Sequence, residues 1–515
     1  MLIAFGAILP IAILIFLSSL SKRGFLFSVV ISLFFLLAIS FFVWQMPVIV
    51  LLASLLKGFF LALEIAGIIF GALLLFGVFR RLGGGQSSKA VFGRLSSDYR
   101  VKAVLVAWAF VHFIEGVSGF GTPAMIASPI LVSIGFSPVA AVIMSLLGDS
   151  VPVIFGAVGL PVTYGLASVV GWPLAMDAAG IIAVLNIIMS LLVVVAVLAV
   201  AVRDKKGTFG DVIKKIPFAI FASLAVSVPA FITFKLFGPE LPSIAGGIFG
   251  VLLISLWALT RYKKENNRSI SVKKTDIIPF LPYLLAVFIL ALTRIPALKI
   301  FLTEAVNWNM PSILNTPISH LFSPLYSPAL IFVLVAIIFC LNLWIKGDRK
   351  SVKEVVFGAF KEIKKPFITL VLILSFVQIM MNSGINGSEL ASMTEAIVKP
   401  LEGANPIFLS FASPAIGALG AFVAGSSTVS NLLFSSIQQS AGIFSGIRES
   451  VMLAMQGMGS AAGNMISIHN ILAAITVAGA TVAMERKVLR SNLPFLALYI
   501  FILGLAGFIL SVVLY

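Results

Sequence analysis

A single cysteine, Cys340, and three histidines, His112, His320 and His469, are all that 515 residues offer as soft or imidazole ligands. One thiol cannot build an internal disulfide framework, and its place in an apolar run points to a buried side chain. The histidines have no ligand partners at a recognised spacing, there is no phosphate loop, and Gly119-x-Gly121 is no dinucleotide fingerprint. Metal, nucleotide and hydrolase readings therefore fail, and neither a metal nor a cofactor is expected. Charge is scarce as well: 10% of residues are charged against 60% hydrophobic, and the mean hydropathy is +1.15. No soluble surface of this size could be covered with so few polar groups, so the fitting solvent is a lipid bilayer.

Apolar stretches long enough to cross a membrane follow one another, among them 2–20, 25–44 and 328–345. The first has Lys22 and Arg23 after it rather than before it, which is the wrong polarity for a secretory signal, and it reads as a span. A net charge of +16 has the sign that nucleic acid attracts, but 29 of the 35 Lys and Arg residues fall in six clusters, at 22–23, 80–102, 203–215, 261–274, 346–365 and 486–490. That pattern is topological, not a nucleic-acid patch. If every cluster faces the cytoplasm, the number of crossings between clusters is even, and both chain ends lie outside an inner (plasma) membrane.

Parity then decides how the interrupted segments are drawn. Residues 103–134, broken by Gly116, Gly119, Gly121 and Pro123, read as a re-entrant hairpin, and 137–170, broken by Gly148 and Pro152, as one discontinuous span. The C-terminal part repeats the layout with a hairpin at 406–440 and a broken span at 449–484. Its approach loop carries Lys399 against Glu389, Glu395 and Glu402, so the second hairpin enters from the other side. The fold expected is all-α and polytopic, with about twelve transmembrane helices and two re-entrant hairpins. Residues 1–202 and 277–515 form two inverted-topology repeats, joined by a linker with two spans at 203–276. Inverted repeats with broken helices suit an alternating-access carrier better than a channel or an enzyme.

The first tip reads Glu115-Gly-Val-Ser118-Gly-Phe-Gly121-Thr122-Pro123. Thr122 can cap free amides while Pro123 takes the first helical position, and a helix starting at mid-depth points its positive end at the centre. The second tip, Gly425 to Asn431, concentrates Ser426, Ser427, Thr428, Ser430 and an amide, and Asn464 closes the break that begins at Gly457. The plainer reading is that small residues only let helices pack closely. Ionisable groups expected within the membrane are Lys57, Glu64, His112, Glu115, Asp149 and His469, each a functional candidate because an unpaired charge there is costly. His112 and Glu115 share a helix face and could share a proton, whereas Lys57 can snorkel and Glu64 and His469 can simply fix packing. Gly121, Thr122, Ser426, Thr428, Ser430, Asn431 and Asn464 are expected to hold a small anion, with Glu115 and Asp149 as proton carriers and His112 as modulator.

These residues resemble the bacterial L-lactate permease family. The likeness lies in Phe113-Ile-Glu-Gly-Val-Ser-Gly-Phe-Gly-Thr-Pro123, Pro152-Val-Ile-Phe-Gly-Ala-Val-Gly-Leu-Pro161, Gly425-Ser-Ser-Thr-Val-Ser-Asn-Leu-Leu-Phe434 and Met465-Ile-Ser467, in that order. The resemblance implies proton-coupled uptake of L-lactate, glycolate or a related short 2-hydroxy monocarboxylate. The family pattern has an acid at Ser427, an Asn at Asp149, a Lys at Asn464 and Pro-Gln at Ile468-His469, so Asp149 is expected to take over a carboxylate role absent at 427. A dicarboxylate or sodium-coupled carrier of similar architecture is the alternative, and an intramembrane enzyme using His112 and Glu115 a more remote one. Which acid is carried, and whether the chain forms a homo-oligomer, stay open.

Overall fold

In the computed structural model, residues 2–20, 24–119, 121–266, 274–479, 481 and 484–513 are described. Phe120 of the first tip and the basic residues Lys22, Arg23, Arg268 and Lys273 lie outside them. The protein is a polytopic all-α membrane protein. Eleven of its described helices are long and apolar enough to cross a bilayer, and twelve if Ile278–Thr293 and Pro296–Ala305, bent by 88°, count as one. Among the described residues the only strands are Trp308–Met310 and His320–Phe322, paired antiparallel.

Helix starts follow local chemistry. Ser137 accepts from the Ala140 amide ahead of Pro138, Ser327 from Ala329 ahead of Pro328, and Asn405 from Ile407 ahead of Pro406. In each, the cap satisfies a free donor and proline occupies a position that has no donor to lose. Phe34, Phe288, Ile338 and Phe501 project from the outside of the bundle, where only lipid would accept them.

The longest helices, Val48–Arg81 and Arg349–Asn382, have 34 residues each, about 51 Å against roughly 30 Å of hydrocarbon. Both outrun the bilayer. In the second, the basic stretch 349–365 is itself helical. Asp348 caps it, and Val355 and Ala359 are buried on one face, so an amphipathic helix carries the span beyond the membrane. The two long helices pack side by side: a Cβ at Gly58 would lie 2.5 Å from the Ser375 backbone nitrogen, and Asn382 donates to Ser54 Oγ at 3.1 Å.

Four helices are interrupted inside this bundle. Tyr99–Val104 runs through a π-helical turn, Leu105–Phe110, into Val111–Val117, and after a break Thr122–Ser133 follows. The latter spans about 18 Å, too short to cross. Pro138–Asp149 gives way to a 3₁₀ turn, Pro152–Phe155, and to Ala157, Val158 and Gly159, all at positive φ. Pro406–Ala424 and Ser427–Ser445 meet at Gly425 and Ser426, and Glu449–Gly463 ends in a 3₁₀ turn, Asn464–Ile466, before Ile468–Ala478. Each limb of the second pair has 19 residues, about 28 Å, longer than a half-depth hairpin needs.

Candidate functional site

The last break falls later than the glycines suggest. Gly457, Gly459 and Gly463 stay helical, and a Cβ on Gly459 or Gly463 would run into the backbone of Pro414 or Ala418. These two glycines therefore let two helices touch, and the chain breaks only at Asn464. At the earlier break the same device works on a carboxyl: any side chain at Gly156 would collide with Glu115, and one at Gly148 with the Ala107 carbonyl.

This close approach brings Glu115, the turn around Ala157 to Pro161, the second tip and Asn464 around one small cavity. Its polar lining is Glu115, Ser426, Ser427, Thr428 and Asn464. The free space is about 20 Å³, room for a water molecule and not for an organic acid. Ser426 caps Ser427–Ser445, its Oγ accepting from the Val429 amide, so the positive end of a 19-residue helix faces the cavity. Asn464 Oδ1 is buried with no hydrogen-bond partner among the described residues.

Ser430 and Asn431 sit one layer back and hold the tip in place. Ser430 donates to the Gly417 carbonyl at 2.8 Å, and Asn431 Nδ2 donates to the Pro161 carbonyl at 3.1 Å. Gln456, fully buried, donates to Ser430 Oγ at 3.2 Å and to Asn431 Oδ1 at 3.5 Å, and accepts from Gln438 Nε2 at 3.2 Å. A survey of ionisable groups overlooks these two glutamines, although an amide amid apolar residues is itself a signal. Ser427 and Ser460 share a hydrogen bond of 2.5 Å.

The first tip points elsewhere. Gly121 has φ +75° and caps the following helix, so Thr122 becomes its first residue rather than its cap and makes no side-chain cap bond. A Cβ on Gly121 would lie 2.8 Å from Asn470 Oδ1. Thr122 is buried, but neither it nor Gly121 lines the cavity. His112 is not brought to Glu115 either: its Nδ1 lies 2.9 Å from the Trp108 carbonyl oxygen and its ring abuts the Trp108 indole. It borders a separate cavity of about 20 Å³ with Asn186, Ser190, Ser227 and Ser243.

Asp149 closes Pro138–Asp149 at 1% exposure, and its carboxyl lies beside that of Glu115. Among the described residues, no donor serves either Asp149 oxygen or Glu115 Oε2. Ionised carboxylates only accept, so a bond between these two requires a proton held by one of them. Glu64 is provided for differently: the Tyr164 hydroxyl donates to its Oε2 at 2.9 Å, and His320 Nε2 lies 2.9 Å from Oε1. His469 is exposed and lies beside Gly425.

The L-lactate permease family model matches residues 3–514. A putative L-lactate permease of Haemophilus influenzae is 32% identical over 444 residues, covering 80% of each chain. The L-lactate permease of Salmonella typhimurium is 26% identical over 98% of this chain and 96% of its own, and the glycolate permease of Escherichia coli 26% identical over 92% and 90%. Among solved structures, the Alcanivorax borkumensis YdaH transporter aligns at 14% identity with a TM-score of 0.46, over 88% of this chain and 87% of its own. With apolar helices from end to end and a family match over nearly its whole length, the chain belongs to the L-lactate permease family and is a membrane transporter, not an enzyme.

Proposed function

We propose that the protein is an inner-membrane symporter that takes up L-lactate, or a related short 2-hydroxy monocarboxylate such as glycolate, together with a proton. One observation carries this reading: the cavity joins hydroxyls, an amide and a helix N-terminus to the carboxyl of Glu115, itself backed by the buried carboxyl of Asp149, with no cation among its lining residues. An organic anion entering alone would set a second negative charge beside the singly protonated Glu115–Asp149 pair, with no lysine or arginine in the lining to offset it. Such an arrangement is prohibitive at low dielectric, so the anion and a proton must arrive together. Ser426, Thr428 and Asn464 then contact the substrate, the amides at the start of Ser427–Ser445 receive its carboxylate, and Glu115 with Asp149 carries the proton. Ser430 and Asn431 position the tip, while Gly121 and Thr122, which do not line the cavity, stand outside the substrate's contacts.

A 20 Å³ cavity admits no lactate, so the surrounding segments must part to load it. In this reading residues 1–202 and 277–515 act as inverted repeats with 203–276 between them. Alternating access is a movement of one set of broken helices against the other. The matching order of interruptions and the burial of Ser427 and Thr428 at the second tip favour it. The basic clusters put both termini outside.

Uptake of labelled L-lactate into proteoliposomes with imposed gradients tests the proposal. Accumulation should follow an inward proton gradient, collapse with a protonophore and be competed by glycolate. Accumulation driven by sodium alone, with no response to pH, would refute proton coupling.

A further inference from the structure

The helix ends at Trp172, Phe237 and Thr293 surround a third, larger cavity of about 480 Å³, within the usual range for a small-ligand pocket. It opens on the face away from the basic clusters, since two of these helices begin or end at Arg203 and Lys215 on the other side. Its charged lining is Lys235, Arg294 and Lys299 against Glu240 alone. Arg294 is 7% exposed. It donates to Thr293 Oγ1 at 3.2 Å, stacks 4.1 Å from the centre of the Tyr326 ring and pairs loosely with Glu240, Nη2 to Oε1 at 3.3 Å. Apart from that loose contact, its buried Nε and Nη2 make no hydrogen bond among the described residues. Lys299 Nζ lies 5.8 Å from the same ring.

We propose that this cavity is an anion-capture subsite that takes the carboxylate of a small organic acid on Arg294, with Lys299 and Lys235 drawing it in, before it passes to the central site. An ion pair that merely fixed the helix bend at Thr293 would need one cation for Glu240. Here two further cations share the lining, and a guanidinium built for bidentate carboxylate binding retains unused donors. The floor of the cavity supplies the route. Pro239 and Glu240 pack directly on Gly159, where a Cβ would lie 2.5 Å from the Pro239 oxygen. Two residues earlier, Ala157 lines the central cavity, so a single thickness of non-helical chain separates the two. That segment holds Ala157 and Val158 at positive φ, a strained conformation suited to a part that moves. The assignment of the ligand as the transported acid rests on the function proposed above.

The test uses a Cys340→Ser background carrying Trp172→Cys on the cavity wall, labelled with N-ethylmaleimide in detergent free of anionic lipid. L-lactate at millimolar concentration should slow labelling, and the effect should vanish in the double variant Arg294→Gln/Glu240→Gln, which removes the pair together and leaves no buried charge unpaired. In proteoliposomes the double variant and Lys299→Gln should raise the KM for uptake from this face about tenfold with the maximal rate unchanged. Unaltered protection and KM in the double variant would overturn the subsite, as would protection by anionic lipid but not by lactate. Lactate uptake by the unmodified protein reports on the transport function separately, so either idea can fail while the other stands.

Discussion

The side-chain amide of Asn431 reaches 270 positions back along the chain to the carbonyl of Pro161, tying the second tip to the broken span of the N-terminal half. Gln456 steadies the arrangement from behind through Ser430 and Asn431. Replacing Asn431 by Ala leaves the Pro161 carbonyl without its donor, which costs about 1–3 kcal/mol when the group is buried. The melting temperature of the purified protein should fall by several degrees and transport should slow. An unchanged melt together with unchanged uptake would mean that the halves are not held together here.

The carboxyls of Glu115 and Asp149 lead to a sharper expectation. Asp149→Asn keeps the shape of the side chain but cannot exchange a proton. Net uptake should then lose its response to an inward pH gradient, while exchange of labelled for unlabelled lactate, which needs no net proton movement, persists. Glu115→Gln should act in the same direction. A normal pH response in both variants would remove the pair from the coupling mechanism.

What the sequence made legible follows from the physics of each signal. A bilayer leaves one way to satisfy a backbone, so apolar runs translate directly into helices, and the interruptions that begin at Ser118, Gly425 and Asn464 announce themselves through Gly, Ser and Asn. Glycine alone is ambiguous: Gly459 and Gly463 serve contact between continuous helices, and the π-helical turn at Leu105–Phe110 has no marker in sequence. Pairings across the fold were hidden for a different reason. Nothing near His320 names Glu64 as its partner, and His112 lies in register with Glu115 on one helix yet turns to the Trp108 carbonyl.

Gly148 sets a packing limit that can be measured. Its Cα lies against the Ala107 carbonyl, so Gly148→Ala must push apart two fully buried helices, an overpacking cost of about 1–3 kcal/mol or more. Gly85→Ala, with nothing within 4 Å, is the matched control. The first variant should express poorly or melt well below the second; equal melting would contradict the close approach.

The strand pair Trp308–Met310 and His320–Phe322 is anchored through His320, which is 7% exposed, stacks on Phe60 and pairs with Glu64. His320→Ala should release residues 306–327 to limited proteolysis and lower stability, because Glu64 then keeps only the Tyr164 hydroxyl. The double variant Glu64→Gln/His320→Ala should be more stable than His320→Ala alone. Protection from protease equal to that of the parent would show that the anchor lies elsewhere.

At the basic face, Asp98 both caps the helix that leads to Glu115 and binds two cations: its Oδ1 accepts from the Arg100 amide at 2.9 Å, and Lys215 Nζ lies 2.7 Å from Oδ2. Burial pushes the Asp98 carboxyl up, but hydrogen bonds from Arg100 and Lys215 outweigh it and hold the carboxyl below its ordinary value of 3.8. A group depressed in the folded state adds stability above its unfolded value and loses it as acid protonates the native carboxylate. The parent should therefore lose stability between about pH 5 and pH 3 more steeply than Asp98→Asn, whose side chain caps without titrating. Asp98→Ala, lacking both cap and charge, should be less stable than Asp98→Asn at pH 7 by about 1 kcal/mol. The pairs to Arg100 and Lys215 are partly solvated, so the gap between parent and Asp98→Asn should be smaller and shrink with salt. Melting curves of the three proteins at pH 7, 5 and 3.5, at low and high salt, decide the matter: parallel pH profiles for parent and Asp98→Asn would mean that this carboxyl is not held by its cations.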